Sequence, residues 1–130
     1  ESLADTRDHI LNCNAVAVHV RKLQYGNTIG PEYYIEAINR IRKKVLFPHF
    51  FIFSDSPTWW QENMPDMEDT NLIPNLQQAA IHDFHLMTLC KHFIVPDSTF
   101  SWWASQLARN DNKICIFPKN YARGARGILL

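Results

Sequence analysis

Charge of one sign is missing from this 130-residue chain: thirteen Lys and Arg are balanced by thirteen Asp and Glu. Without a net field, neither nucleic acid nor an anionic surface follows as a partner from charge. Any anion affinity must come from a local cluster. Cysteine is scarce and odd in number, and Cys13, Cys90 and Cys115 are far apart in apolar contexts. That argues against a disulfide framework and for reduced, buried thiols of a reducing compartment. None has a nearby His–Asn constellation, so a thiol nucleophile is not expected. His82 and His85 lie three apart with Asp83 between them, but no matching pair stands at ligand spacing, so no metal is expected. No apolar run approaches a membrane span, and the first twenty residues do not read as a signal peptide. Repeats and low-complexity segments are absent. The composition is that of one compact domain, residues 1–130, and the start at Glu1 suggests a piece of something longer.

What is present is a set of short apolar runs. Ala-Val-Ala-Val-His-Val at 15–20, Phe-Phe-Ile-Phe at 50–53 and Phe-Ile-Val at 93–95 lack polar alternation, as strands covered on both faces do. A last strand is expected over 113–117. Helices are expected between them. The first covers 2–12, with Leu3, Ile10 and Leu11 inward. The second is opened by Pro31, carries Tyr34, Ile38, Ile41 and Val45 at helical spacing, and is closed by Pro48. Ser56-Pro57 opens a third through Trp59 and Trp60, and 81–91 reads as a fourth burying Phe84, Leu86, Met87 and Cys90. Asp97, Ser98 and Thr99 are good N-cap residues for a fifth that runs through Trp103 to Arg109. Residues 64–78 read as a loop or lid with one short strand near Met67, and the basic tail from Lys119 as loose. Strands alternating with helices imply right-handed crossovers and an α/β, three-layer parallel sheet.

Polar residues then collect after three of the strands: His19, Arg21 and Lys22; Ser54 and Asp55; Asp97, Ser98, Thr99 and Ser101. In a parallel sheet these strand ends share one edge, where ligands bind. Arg21 offers a planar donor fork for phosphate and Lys22 a second charge. The turn at 97–101 offers hydroxyls and the free N–H groups of a helix start. Asp55 has the acceptor pair that suits a guanine edge. Together these groups fit a nucleoside diphosphate. The tryptophans at 59–60 and 102–103 are expected to pack, at least one of each pair. His92 is expected to be a satisfied, partly buried histidine.

The same stretches resemble a known family. Val18-His19-Val20-Arg21-Lys22 is similar to the H-x-R-R-G-D-Y motif of the α-1,2-fucosyltransferases, glycosyltransferase family 11. Phe51-Ile52-Phe53-Ser54-Asp55 resembles the family's second block. Asp83-Phe84-His85-Leu86-Met87 through Trp103, and Lys113-Ile114-Cys115-Ile116-Phe117-Pro118-Lys119, resemble its D-L-x-L-M, C-K-H, N-S-T-F-S-W-W and P-K region. The likeness runs from about Ala15 to Tyr121. It implies a Rossmann-like domain resembling the C-terminal, donor-binding half of a glycosyltransferase-B fold, with the acceptor-binding N-terminal half outside this chain.

The implied donor is GDP-β-L-fucose, and the implied acceptor a galactose-containing glycan, fucosylated with inversion at a 2-hydroxyl without cofactor or metal. Arg21 would hold the β-phosphate as GDP departs, with Lys22 beside it. His19 and Asp55 would approach the guanine, and Asp97, Ser98, Thr99, Phe100 and Ser101 would wrap the phosphates and ribose. Lys22 replaces the motif's second arginine, Leu23 and Gln24 replace its glycine and aspartate, and Asp97 stands where asparagine is usual. Gln24 and the short chain would also suit a non-catalytic nucleotide- or glycan-binding module. The expected location is the bacterial cytoplasm or inner membrane face, or the Golgi in a eukaryote.

Overall fold

The computed structural model describes residues 3–22, 29–73, 80–119 and 127–130. Six strands form one sheet: β1 (Asn14–Val20), β2 (Pro48–Ser54), β3 (Thr70–Leu72), β4 (His92–Ile94), β5 (Cys115–Phe117) and β6 (Ile128–Leu129). Five helices lie between or before them: α1 (Leu3–Leu11), α2 (Pro31–Lys44), α3 (Pro57–Asn63), α4 (Ala80–Thr88) and α5 (Thr99–Leu107). The strand order is β3-β2-β1-β4-β5-β6, and every pairing is parallel. This is the Rossmann-like arrangement expected from the sequence. The chain reverses its direction of travel across the sheet between β1 and β4, and that reversal makes a crevice at the strands' carboxyl edge.

Alternate side chains of each strand enter two cores, which is why the runs read as uniformly apolar. Ala15, Ala17, Phe51, Phe53, Phe93, Val95, Cys115 and Phe117 face one side, under Ile10 of α1, Leu86 and Met87 of α4 and Ala104 of α5. Val16, Val18, Val20, Phe50, Ile52, Ile94 and Ile116 face the other, under Tyr34, Ala37, Ile38 and Ile41 of α2 and Trp60 of α3.

Several boundaries differ from expectation, each for a local reason. In α1 only Ile10 of the three expected core residues is buried; Leu3 and Leu11 are half exposed. Pro48 does not close α2. That helix ends at Lys44, with the Val45 N–H on the Ile41 carbonyl, and Phe47 at φ 49° turns the chain into β2. Pro48 is instead the first residue of β2, where a missing N–H is tolerated. α4 stops at Thr88 because the Leu89 and Cys90 N–H groups reach back only three residues, to Leu86 and Met87. The short strand near Met67 falls at Thr70–Leu72, paired to Phe50–Ile52. The tail is not loose throughout: Ile128 and Leu129 pair with Ile116 and Phe117 as a sixth strand. Residues 74–79 of the expected lid and 120–126 of the tail lie outside the described residues. No described helix is long and apolar enough to cross a membrane.

Candidate functional site

The site begins where a ladder ends. β1 pairs with β2 as far as Val20↔Ser54, but with β4 only to Val18↔Ile94. Beyond that point β4 runs into Val95 and Pro96, and proline offers no N–H to extend the pairing. The two strands part, and side chains bridge the gap. His19 Nδ1 lies 2.7 Å from Ser101 Oγ. Arg21 Nη1 donates to Ser98 Oγ at 3.4 Å. Both serines are buried, so these bonds are shielded from water.

Ser98 stands at the N-cap of α5 but makes no side-chain cap bond; its hydroxyl is turned to Arg21. The first turn of α5 therefore has no side-chain cap and sets its partial positive charge beside a guanidinium, a combination suited to phosphate. Asp55, at the end of β2, accepts the Lys22 main-chain N–H at 2.8 Å. This ties the third polar cluster to the same edge. The Lys22 ammonium is engaged elsewhere, by the Ile29 carbonyl and by the Trp59 ring, 4.3 Å from its centroid. Phe100 lies between the His19 ring, 5.9 Å away, and Phe84, 5.3 Å away. Asp97 and Thr99 are exposed at the mouth of the turn.

Burial lowers the His19 pKa to about 4; Asp55 opposes this and Arg21 reinforces it. The imidazole is therefore neutral near pH 7, one nitrogen donating and one accepting. Lys22 is lowered by burial, with Asp55 opposing. Asp83, on the first turn of α4, is raised to about 6 by burial, with His82 opposing.

All three clusters thus meet on one edge, where Arg21 is brought to Ser98 and His19 to Ser101. Sequence reasoning missed Tyr33 and Tyr34, whose hydroxyls meet main-chain carbonyls at the ends of β1, β4 and β5. Two adjacent tyrosines just after a helix-opening proline were the available signal. It also missed Asp83 as a titrating group; a carboxylate amid Phe84, Leu86 and Met87 was the hint.

Other expectations can be placed. Trp60 is buried and Trp102 packs partly buried against the α4–α5 core, while Trp103 is half exposed. His92 is buried and its Nδ1 accepts the Ile114 N–H at 3.0 Å. Cys90 and Cys115 are buried and Cys13 partly so, all three as free thiols. Among the described residues no group of three or more potential ligands could hold a metal ion.

The sequence profile described as Glycosyl transferase family 11 matches residues 9–126. An alpha-1,2-colitosyltransferase of Escherichia coli is 28% identical over 123 residues, an alignment covering 84% of this chain and 42% of that protein. Galactoside alpha-(1,2)-fucosyltransferase 2 of Mus musculus is 31% identical over 107 residues, covering 80% and 30%. This chain therefore spans less than half the length of these relatives. Among solved structures, fucosyltransferase NodZ from Bradyrhizobium superposes with a TM-score of 0.63 at 16% identity, covering 82% of this chain and 39% of that one. A NodZ alpha-1,6-fucosyltransferase crystal soaked with GDP-fucose gives 0.58 at 15% identity, covering 82% and 40%. At these identities the structural likeness concerns the fold.

Proposed function

The chain belongs to glycosyl transferase family 11, and from that premise we propose that it is the donor-binding half of a fucosyltransferase, passing L-fucose from GDP-β-L-fucose, with inversion, to the 2-hydroxyl of a galactoside. One observation carries the reading: Arg21 reaches across the parting of β1 and β4 to Ser98, at the start of α5, which has no side-chain cap bond. A diphosphate seated there meets a guanidinium and main-chain N–H groups at once. As the sugar–phosphate bond breaks, negative charge grows on the β-phosphate, and preorganised donors stabilise that charge more than the ground state. No metal is invoked, because the cationic role falls to Arg21 and the helix terminus.

In this reading neutral His19 and Asp55 lie toward the guanine, and Asp97, Ser98, Thr99, Phe100 and Ser101 border the phosphates and ribose. Lys22 supports the site through its N–H on Asp55. The acceptor glycan would sit on the N-terminal domain of the parent protein. The fucosyltransferase names of relatives and the GDP-fucose soaked into the NodZ crystal support the fucosyl donor.

A second reading, a binding module without turnover, is favoured by the engagement of the Lys22 ammonium with Trp59 and Ile29, which turns its charge away from Arg21 and Ser98. Calorimetry separates the possibilities. GDP is expected to bind with roughly millimolar or better affinity, ahead of UDP and CDP, and Arg21→Ala to lose at least about tenfold. Joining this chain to its N-terminal half should then give GDP release with galactosides, whereas binding without turnover would favour the module. No heat at millimolar GDP from a folded sample overturns the donor reading and the nucleotide-binding form of the module, and heat with a galactoside alone would point to its glycan-binding form.

A further inference from the structure

Tyr33 and Tyr34 stand on neither wall of the crevice, yet their hydroxyls reach both. Tyr34 is fully buried, and its hydroxyl donates to the His19 carbonyl at 3.0 Å. His19 lies just upstream of Arg21, so this bond anchors the β1 wall. The Tyr33 hydroxyl donates to the Val95 carbonyl at 2.5 Å, with the Ile116 carbonyl 3.0 Å away as a second acceptor. Val95 is the root of the turn that carries Ser98 and Ser101, so this bond anchors the β4 wall and ties it to β5. The two rings meet edge to face, 5.1 Å apart at 75°. Tyr34 is held in turn by Trp59 and Trp60, at 6.0 and 5.9 Å.

The physical reason for the pair is the broken ladder. Where β1 and β4 part, carbonyls at the strand ends lose the neighbouring strand, and a buried carbonyl without a donor is costly. A phenol supplies a donor on a large rigid ring, and two of them on one helical turn supply donors to both walls. Burial holds the Tyr34 phenol well above its ordinary range, so it remains protonated and a donor. A phenylalanine pair would fill the same space and leave both carbonyls without these partners.

We propose that Tyr33 and Tyr34 are positioning residues that set the separation between Arg21 and Ser98, so that the first turn of α2 fixes the width of the anion pocket. The proposal rests on the donor-site reading, and its test is arranged so that the two can fail separately. GDP binding is measured by calorimetry for the wild type, Tyr33→Phe and Tyr34→Phe, each alone and in a Ser98→Ala background. Each phenylalanine variant is expected to lower the urea midpoint modestly through its lost hydrogen bond, to weaken GDP about tenfold under conditions where the protein stays folded, and to have little further effect on GDP once Ser98 is replaced. A purely structural pair would lower the midpoint alone, with GDP affinity unchanged in the folded protein and no coupling to Ser98. Wild-type affinity in both single variants, or the same loss in both backgrounds, overturns the proposal. If the folded wild type takes up no GDP, the donor reading fails and positioning is read from amide exchange across residues 95–101. Exchange there about tenfold faster in Tyr33→Phe supports it, and unchanged protection overturns it.

Discussion

His19 and Asp83 are perturbed in opposite senses over the same pH range, and separating them tests the electrostatics of the carboxyl edge. The folded state holds the His19 pKa near 4 against an ordinary 6.5. Above 6.5 the ring is neutral in both states and contributes no pH dependence. As pH falls from 6.5 toward 4 the unfolded chain takes up a proton that the folded chain refuses, so stability is lost across that window. The displacement corresponds to about 3 kcal/mol. His92, lowered by burial and by Lys91, adds in the same direction.

Asp83 works the other way. Its folded pKa lies near 6 against an ordinary 3.8, so its stabilising effect is complete below 3.8 and lost as pH rises through 6. Allowing for its partial exposure, this is worth about 2 kcal/mol. The wild type should therefore show a shallow profile between pH 4 and 6.5. Asp83→Asn should uncover the histidine limb, gaining about 2–3 kcal/mol between pH 4 and 6.5 and exceeding the wild type at pH 7. His19→Gln should uncover the carboxyl limb, with stability falling as pH rises over the same range. Urea denaturation of the three proteins at half-unit pH steps measures all of this. Parallel profiles in all three would refute the assignment of opposed perturbations.

Two further substitutions test the backbone. Phe47 is 91% exposed and holds φ 49°, a conformation costly for a bulky L-residue, so Phe47→Gly should raise stability by about 0.5–1 kcal/mol in thermal or urea unfolding. A fall in stability would mean that the ring contributes contacts outweighing the strain. At Gly127 an added Cβ would lie 2.3 Å from the Cys115 carbonyl oxygen and 3.0 Å from the Phe117 ring. Gly127→Ala should cost about 1–3 kcal/mol and expose to exchange the Leu130 amide that now bonds the Phe117 carbonyl at 3.0 Å. Wild-type protection at Leu130 would show that the strand shifts without loss.

The central strands were legible because burial on both faces writes itself into the residues: 15–20, 50–53 and 93–95 have almost no polar position to mislead. β3 and β6 were not, because three and two residues carry no period of their own. Their pairing with Phe50–Ile52 and with Ile116–Phe117 decides them. Pro48 was misread because proline both stops helices and is tolerated at a strand's first residue. At the site, composition brought Arg21, Asp55 and the 97–101 turn to one edge through topology alone. It did not say which hydroxyls face inward: Ser98 and Ser101 do so in buried bonds, while Thr99 lies exposed. Nor could it show where the Lys22 charge goes, since that is set by Trp59, brought close only by folding.

The carboxyl edge also leaves unused the local stabilisation its sequence offers. α2, α3 and α5 all begin there, after β1, β2 and β4, and none has a side-chain N-cap bond, although Ser56 and Ser98 occupy cap positions. A serine cap is worth about 1 kcal/mol. In α5 the reason is visible: the Ser98 hydroxyl accepts from Arg21. That bond draws together two walls that the broken β1–β4 ladder would otherwise leave to separate. In a chain with no net charge, the proposed anion binding would depend on such orientation rather than on an excess of cations. Among the described residues, the proposed site offers one guanidinium, a neutral imidazole and a helix start without a side-chain cap, donors whose directions the fold sets. The tyrosines beneath it fit the same logic, since directional donors are useful only if the walls that carry them keep their spacing.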